Sequence, residues 1–188
     1  MKKIAVTGII ASGKSVVCNV IEKLGGEVIY TDKINSELLL DKDYILKLAK
    51  IFPNAVQNGV VLKEAIRKQI IENDSKRQAL NSLAHSEIKQ RVEKIVSQFN
   101  GKKIFCEIPL IVESNMVDYF DEIWCVVADN NVRINRIVAR DKVSELDAKR
   151  ILECQKSERQ LIKIASEIIE NNGDIKKVEE RVKELINR

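Results

Sequence analysis

Gly8-Ile9-Ile10-Ala11-Ser12-Gly13-Lys14-Ser15 is the stretch that decides how this chain is read. Its spacing fits G-x-x-x-x-G-K-[ST], a phosphate-binding loop set between a strand and a helix. Each fixed residue has a mechanical reason. Gly8 and Gly13 let the backbone turn and approach a polyphosphate with no Cβ in the way. Successive N–H groups then aim inward at a helix N-terminus, where the macrodipole also favours an anion. Lys14 brings a point charge to the β- and γ-phosphates, and the Ser15 hydroxyl is positioned to ligate Mg²⁺. The flanks agree. Ile4-Ala5-Val6-Thr7 reads as a buried strand, and Val16, Val17, Val20, Ile21 and Leu24 give the helix after it an apolar stripe.

Around that loop the composition narrows the choices. A chain of 188 residues that is 45% hydrophobic makes one compact domain with small movable lobes. Its 32 basic and 28 acidic residues, net +4, are spread along the chain, which suits anionic small molecules and does not demand nucleic acid. Aromatics at 4% are too few for a base-stacking surface. Cys18, Cys106, Cys125 and Cys154 form no C-x-x-C, so reduced thiols in a cytoplasmic protein are expected rather than a zinc site. Lys2-Lys3 before Ile4–Ala11 imitates a signal peptide, but the phosphate loop occupies that apolar run. No stretch approaches transmembrane length, so no membrane partner is expected.

Downstream, Gly25-Gly26 closes the first helix and Glu27-Val28-Ile29-Tyr30 reads as a strand. Asp32 follows at the strand's C-terminal end, the edge where open α/β sheets bind ligands; equally, Asp32 or Thr31 caps the helix through Ile34, Leu38 and Leu39. Residues 41–100 read as mostly helical, punctuated by Pro53, Asn58-Gly59 and Asn73-Asp74-Ser75. A helical insertion between strands of such a sheet commonly holds a second substrate. It contains the single histidine, His85, whose bland role is a hydrogen-bonding group at a helix terminus. Ile104–Ile108 is a strand that Pro109 stops, apolar but for Glu107. A carboxylate there needs a partner: either the Mg²⁺ shell or a nearby lysine or arginine.

Ile123–Val127 is the next strand, and a helix follows from about Val132. Arg133, Arg136 and Arg140 share one face of that helix, and Ile134, Ile137 and Val138 form the other. Such an arginine face is either solvated or, unmatched by acids at helical spacing, gathered around phosphate oxygens. A helix from Glu145 runs through Arg150, Gln155 and Arg159; Ile168-Ile169 is a last strand, and Ile175–Asn187 an amphipathic closing helix. The alternation predicts a P-loop α/β fold, a three-layer α/β/α sandwich around about five parallel strands. Its core is expected at about 1–40, 101–132 and 160–188, with the helical insertion at 41–100 and a lid at 133–159.

In order and spacing these landmarks resemble the dephospho-CoA kinase family over nearly the whole chain. The matching segments are Gly8–Ser15, Val28–Ile34, Ala84-His85 before Ile88, Pro109–Glu113, Arg136 through Arg140-Asp141, Arg150-Ile151-Leu152…Gln155 and Ile168–Gly173. The resemblance implies a kinase that moves the γ-phosphoryl of ATP to the ribose 3′-hydroxyl of dephospho-CoA. It implies Lys14, Asp32 and Arg140 as catalytic residues, with Asp32 receiving the acceptor hydroxyl. ATP contacts are implied at Gly8, Ala11, Ser12, Gly13, Lys14, Ser15, Val16, Arg136 and Asn171. Acceptor contacts are implied at Asp32, His85, Pro109 and Glu113; the loop motif and the strand-end carboxylate themselves predict Mg²⁺ at Ser15 directly with Glu107 behind it. ATP and dephospho-CoA are the implied partners of a monomer or small homo-oligomer. The chain departs from the family pattern at Ile9 and Ala11, where glycines are usual, and at Tyr30, Ser36, Ser86 and Ser166. Rival readings are a nucleoside or nucleoside monophosphate kinase, a non-catalytic nucleotide switch and a nucleic-acid-remodelling ATPase. No [NT]-K-x-D segment supports the switch.

Overall fold

The computed structural model describes residues 1–153 and 158–188, so Cys154 and Gln155 lie outside the described residues. Five strands make one sheet: β1 (Lys2–Thr7), β2 (Glu27–Tyr30), β5 (Lys103–Glu107), β6 (Glu122–Val127) and β7 (Glu167–Glu170), in the order β2-β5-β1-β6-β7. The pairs β1/β5, β1/β6 and β6/β7 are parallel, with Val6 opposite Glu107 and Thr7 opposite Cys125. Successive strand residues face opposite sides. Burial of Ile4, Ala5, Val6 and Thr7 in a row therefore means that β1 is covered on both faces, the pattern of a parallel sheet between helical layers. The predicted three-layer fold is the observed one.

The chain divides into two compact units, residues 1–29 with 100–188, and residues 30–99. In the first, α1 (Lys14–Lys23) and α9 (Ile175–Asn187) pack together, as do α6 (Asn130–Asp141) and α7 (Glu145–Glu153). A shorter helix, α8 (Glu158–Ile164), packs on β6. Gly26 N–H donates to Ile21 O at 2.9 Å and ends α1 where the Gly25-Gly26 pair predicts. At the other end of the chain, Asp174 caps α9, accepting from the Lys176 and Lys177 amides.

The second unit holds α2 (Thr31–Leu38), α3 (Lys42–Ile51), α4 (Lys63–Glu72) and α5 (Asp74–Gln98). Asn73 opens α5 by accepting from the Lys76 amide at 3.0 Å, which is why the Asn73-Asp74-Ser75 punctuation starts a helix of 25 residues. Helices α2, α3 and α4 all pack on α5. Between α3 and α4 the chain adds a feature the helical reading passed over, a hairpin of β3 (Val56–Gln57) and β4 (Val60–Val61). Asn58 and Gly59 both take positive φ, 50° and 77°, the conformation that suits a two-residue hairpin turn. Among the described residues, no helix is long and apolar enough to cross a membrane.

Candidate active site

The phosphate loop leaves the C-terminal end of β1 and enters α1, as its sequence predicts. Backbone shape explains both glycines. A Cβ on Gly8 would lie 2.4 Å from the Val126 carbonyl oxygen, and one on Gly13 would lie 1.9 Å from Asn171 Nδ2. Gly13 also caps α1 at φ 97°, a left-handed conformation that glycine adopts without penalty. Lys14 folds back over the loop, its ammonium donating to the carbonyls of Gly8 at 2.9 Å and Ile9 at 3.4 Å. Ser15 and Val16 lie in the first turn of α1, Ser15 exposed and Val16 half-buried. The Ser12 side chain is buried, its hydroxyl without a hydrogen-bond partner.

Arg136 and Asn171 reach this loop from α6 and from the end of β7. Arg136 Nη1 donates to the carbonyls of Ala11 (3.0 Å) and Ser12 (3.1 Å). Its Nη2 donates to Asn171 O (2.9 Å) and Oδ1 (3.1 Å), while Asn171 Nδ2 donates to Ser12 O at 3.1 Å. Asn171, 1% exposed, is a buried bracket behind the loop.

The other arginines of α6 do not form the unmatched face that their spacing predicts. Arg133 is 4% exposed and faces Glu158 of α8 at 3.7 Å, its Nε without a partner. Burial pulls its pKa down against the Glu158 charge. The sequence carried the signal: Arg133 lies one turn before Ile137 on the apolar side. At the exposed end of α6, Arg140 makes a two-pronged ion pair with its neighbour Asp141, at 2.7 and 2.8 Å. That hydrogen bonding raises the arginine pKa and lowers that of Asp141. Two of the three guanidiniums therefore have carboxylate partners that helical spacing did not reveal.

Glu107 ends β5, half-buried, and its charge helps raise the thiols of Cys18 and Cys106. Desolvation is the larger cause, pushing Cys18 up to about 12, and it likewise pushes Cys125 to about 11. These three cysteines are buried and free, as their apolar settings imply. Pro109 and Glu113, both half-buried, lie in the loop after β5, which Ile111 and Met116 anchor at 0% exposure.

Two expected site residues belong to the second unit. Asp32 is exposed in the first turn of α2; the N-cap is Tyr30, which makes no side-chain capping bond, so neither capping alternative describes it. A carboxylate in the first turn of a helix still gains from the macrodipole. The departure Ser36 sits a turn later, its hydroxyl donating to Asp32 O at 3.0 Å. His85 is half-buried midway along α5, not at a helix terminus. In the first unit Ser166, another departure, is used structurally: its hydroxyl accepts from the Ile123 amide at 3.1 Å, and its own amide donates to Ile123 O at 2.8 Å.

The Mg²⁺ that the loop motif predicts calls for hard oxygen donors. Ser15 and Glu107 offer oxygen of that kind, and among the described residues no three His, Cys, Asp or Glu gather into a metal site of their own. Two oxygen donors suit the chemistry of an ion that takes most of its shell from phosphate and water.

Known proteins resemble this chain over nearly its whole length. The family model described as dephospho-CoA kinase matches residues 2–177. A dephospho-CoA kinase of Fusobacterium nucleatum is 30% identical over 181 residues, covering 95% of this chain and 94% of that protein. Among solved structures, the dephospho-CoA kinase from Campylobacter jejuni superposes with TM-score 0.74 at 26% identity, covering 100% of this chain and 96% of the other. The protein TT1252 from Thermus thermophilus superposes with TM-score 0.84 at 25% identity over 99% and 96% of the two chains.

Proposed function

This chain belongs to the dephospho-CoA kinase family, and from that premise we propose how its residues divide the work of the final step of coenzyme A synthesis. The reaction transfers the γ-phosphoryl of ATP to the ribose 3′-hydroxyl of dephospho-CoA, giving coenzyme A and ADP. One observation carries the reading: a phosphate loop with its lysine and flanking helix, inside a family match running from residue 2 to 177.

Phosphoryl transfer needs little covalent help from protein; positioning and neutralisation of charge do most of it. Gly8, Ala11, Ser12, Gly13, Ser15 and Val16 hold the polyphosphate, and Lys14 exchanges its bonds to the loop carbonyls for phosphate oxygens. Ser15 would hold Mg²⁺ with Glu107 behind it, and the ion would supply charge neutralisation on the phosphates. Arg140 leaves Asp141 for the transferring group, a fork matched to oxygen pairs. Asp32 orients the acceptor hydroxyl and takes its proton late. His85, Pro109 and Glu113 serve the acceptor, and Arg136 and Asn171 serve the ATP half. Residues 133–159 act as a lid, excluding the water that would otherwise hydrolyse ATP. We place the enzyme in the cytoplasm as a monomer or small homo-oligomer, a setting that suits an ATP-using protein with free thiols.

The test is the acceptor. Purified protein with Mg·ATP is offered dephospho-CoA, AMP, adenosine or nothing, and ADP and phosphorylated product are followed. Product is expected with dephospho-CoA, a weak reaction with adenosine, and slow hydrolysis alone. The remote pantetheine arm should help align the hydroxyl, so truncated acceptors lose kcat as well as affinity. If AMP gives the higher kcat/KM, the protein is a nucleotide kinase; if ATP binds and no acceptor reacts, it is a switch.

A further inference from the structure

The bracket behind the phosphate loop has a consequence that follows from peptide geometry. Ser12 O accepts two hydrogen bonds, from Arg136 Nη1 at 3.1 Å and Asn171 Nδ2 at 3.1 Å. A peptide oxygen has two lone pairs, so this carbonyl is saturated and held in one direction. Across a trans peptide the C=O and the next N–H point opposite ways. Fixing Ser12 O therefore aims the Gly13 amide away from the bracket. Arg136 holds Ala11 O at 3.0 Å in the same manner.

The bracket is itself anchored. The Asn171 amide donates to Val127 O at 2.9 Å, and the neighbouring Asn172 accepts from the Asp129 amide through Oδ1 at 2.8 Å. Those bonds fasten the turn after β7 to the end of β6. Gly13 completes the fit, because any Cβ there would collide with Asn171 Nδ2.

We propose that Arg136 and Asn171 are positioning residues for the phosphate loop, acting through the Ser12 carbonyl to hold the Gly13 amide ready for phosphate, and not through contact with the transferring group. The proposal rests on the loop's binding ATP. It predicts that the two residues work as one device, and that their loss is felt by any nucleotide whose β-phosphate enters the loop.

Calorimetric titration with MgADP, and with Mg²⁺ and a non-hydrolysable ATP analogue, tests this on the native chain, Asn171→Ala, Arg136→Lys and the double variant. Each single change should weaken both nucleotides about tenfold, the order expected when a buried hydrogen-bonded set is broken. The double variant should be little worse than either single one, since coupled groups are not additive. KM for ATP should rise in step with the loss of affinity for both nucleotides, while dephospho-CoA binding stays within a few-fold of native. If Asn171→Ala fails to unfold cooperatively, Arg136→Lys and Asn171→Ser carry the same comparison.

Native-like MgADP binding by folded Asn171→Ala overturns the proposal. So does an Arg136→Lys loss confined to the ATP analogue, which would put that guanidinium on the γ-phosphate. Failure of the native protein to bind MgADP would instead sink the kinase reading on which the proposal stands.

Discussion

Around the phosphate loop polar side chains are drawn inward. Arg136 and Asn171 hold the loop, and Arg133 is buried against Glu158. The unit Tyr30–Phe99 keeps its ion pairs nearer the surface, Glu87 being the most enclosed member at 15% side-chain exposure. Lys47 pairs with Glu87 at 2.6 Å, Arg77 with Asp74 at 2.9 Å, and Arg91 with the capping Asp41, while Tyr44, Leu48, Phe52 and Val92 fill the interior. Exposed ion pairs contribute about 0–1 kcal/mol each and shift easily. Breaking one partner of a buried polar set costs about 1–3 kcal/mol, because the other is left unsatisfied. The loop region is thus built for fixed geometry and the helical unit for tolerance, so a change at a loop residue outside the buried set should damage binding and chemistry well before it damages folding.

Lys14→Ala should show that most sharply. It fills no core, so unfolding should stay cooperative while kcat falls roughly 10³-fold or more; a loss of cooperative unfolding would make Lys14 structural and collapse the contrast. Asp32→Asn probes the one expected catalytic group in the helical unit. It keeps the shape and removes the base, and kcat should fall on the order of 10²-fold with ATP binding little changed. Near-normal kcat would leave Asp32 merely complementing the helix dipole of α2.

Arg140→Lys should be impaired about tenfold, nearly as much as Arg140→Ala, since lysine keeps the charge but loses the fork. Full rescue by lysine would mean that only net charge counts there. Asp41 marks the tolerant extreme. Its pKa is lowered chiefly by the Tyr44 amide, with Asp43 and Arg91 adding to the effect. A depressed carboxylate stabilises the fold above the unfolded value of about 4, and that contribution disappears as pH falls through the native pKa. The Tm difference between native protein and Asp41→Asn should be small at pH 7 and should shrink on acidification towards about pH 3. A gap that persists at low pH would assign the difference to something other than the charge.

The features legible in the sequence are those written locally. β2 and α9 have the bounds that their patterns predict, and the phosphate loop is where its glycines place it. The β3–β4 hairpin was not legible as strands, because two residues on each side show no alternation, although Asn58-Gly59 marked the turn. Asp32 fell inside a helix because α2 starts at Thr31 with no spacer after β2. The loop bracket was illegible for a different reason: Arg136 and Asn171 meet residues 125 and 159 positions away, and no periodicity encodes such a meeting. Family resemblance brought both residues to the ATP side without saying how they serve it.

Ile9 and Ala11, where glycine is usual in the family, change what the loop has to do when a ligand arrives. Ile9 is 7% exposed, and Ala11 packs with Ile10 against the cluster of Ile134, Ile137 and Ala148. Ala11 sits at φ 60°, a left-handed conformation that costs about 1 kcal/mol for a residue with a Cβ. Glycine there would relieve the strain but would add conformational freedom worth about 0.4–1 kcal/mol. The present loop accepts strain during folding and has less disorder left to surrender on meeting ATP, a form of preorganisation. Ala11→Gly should then leave Tm near native or slightly above it while weakening ATP binding a few-fold; tighter binding in that variant would show that the loop needs freedom more than readiness.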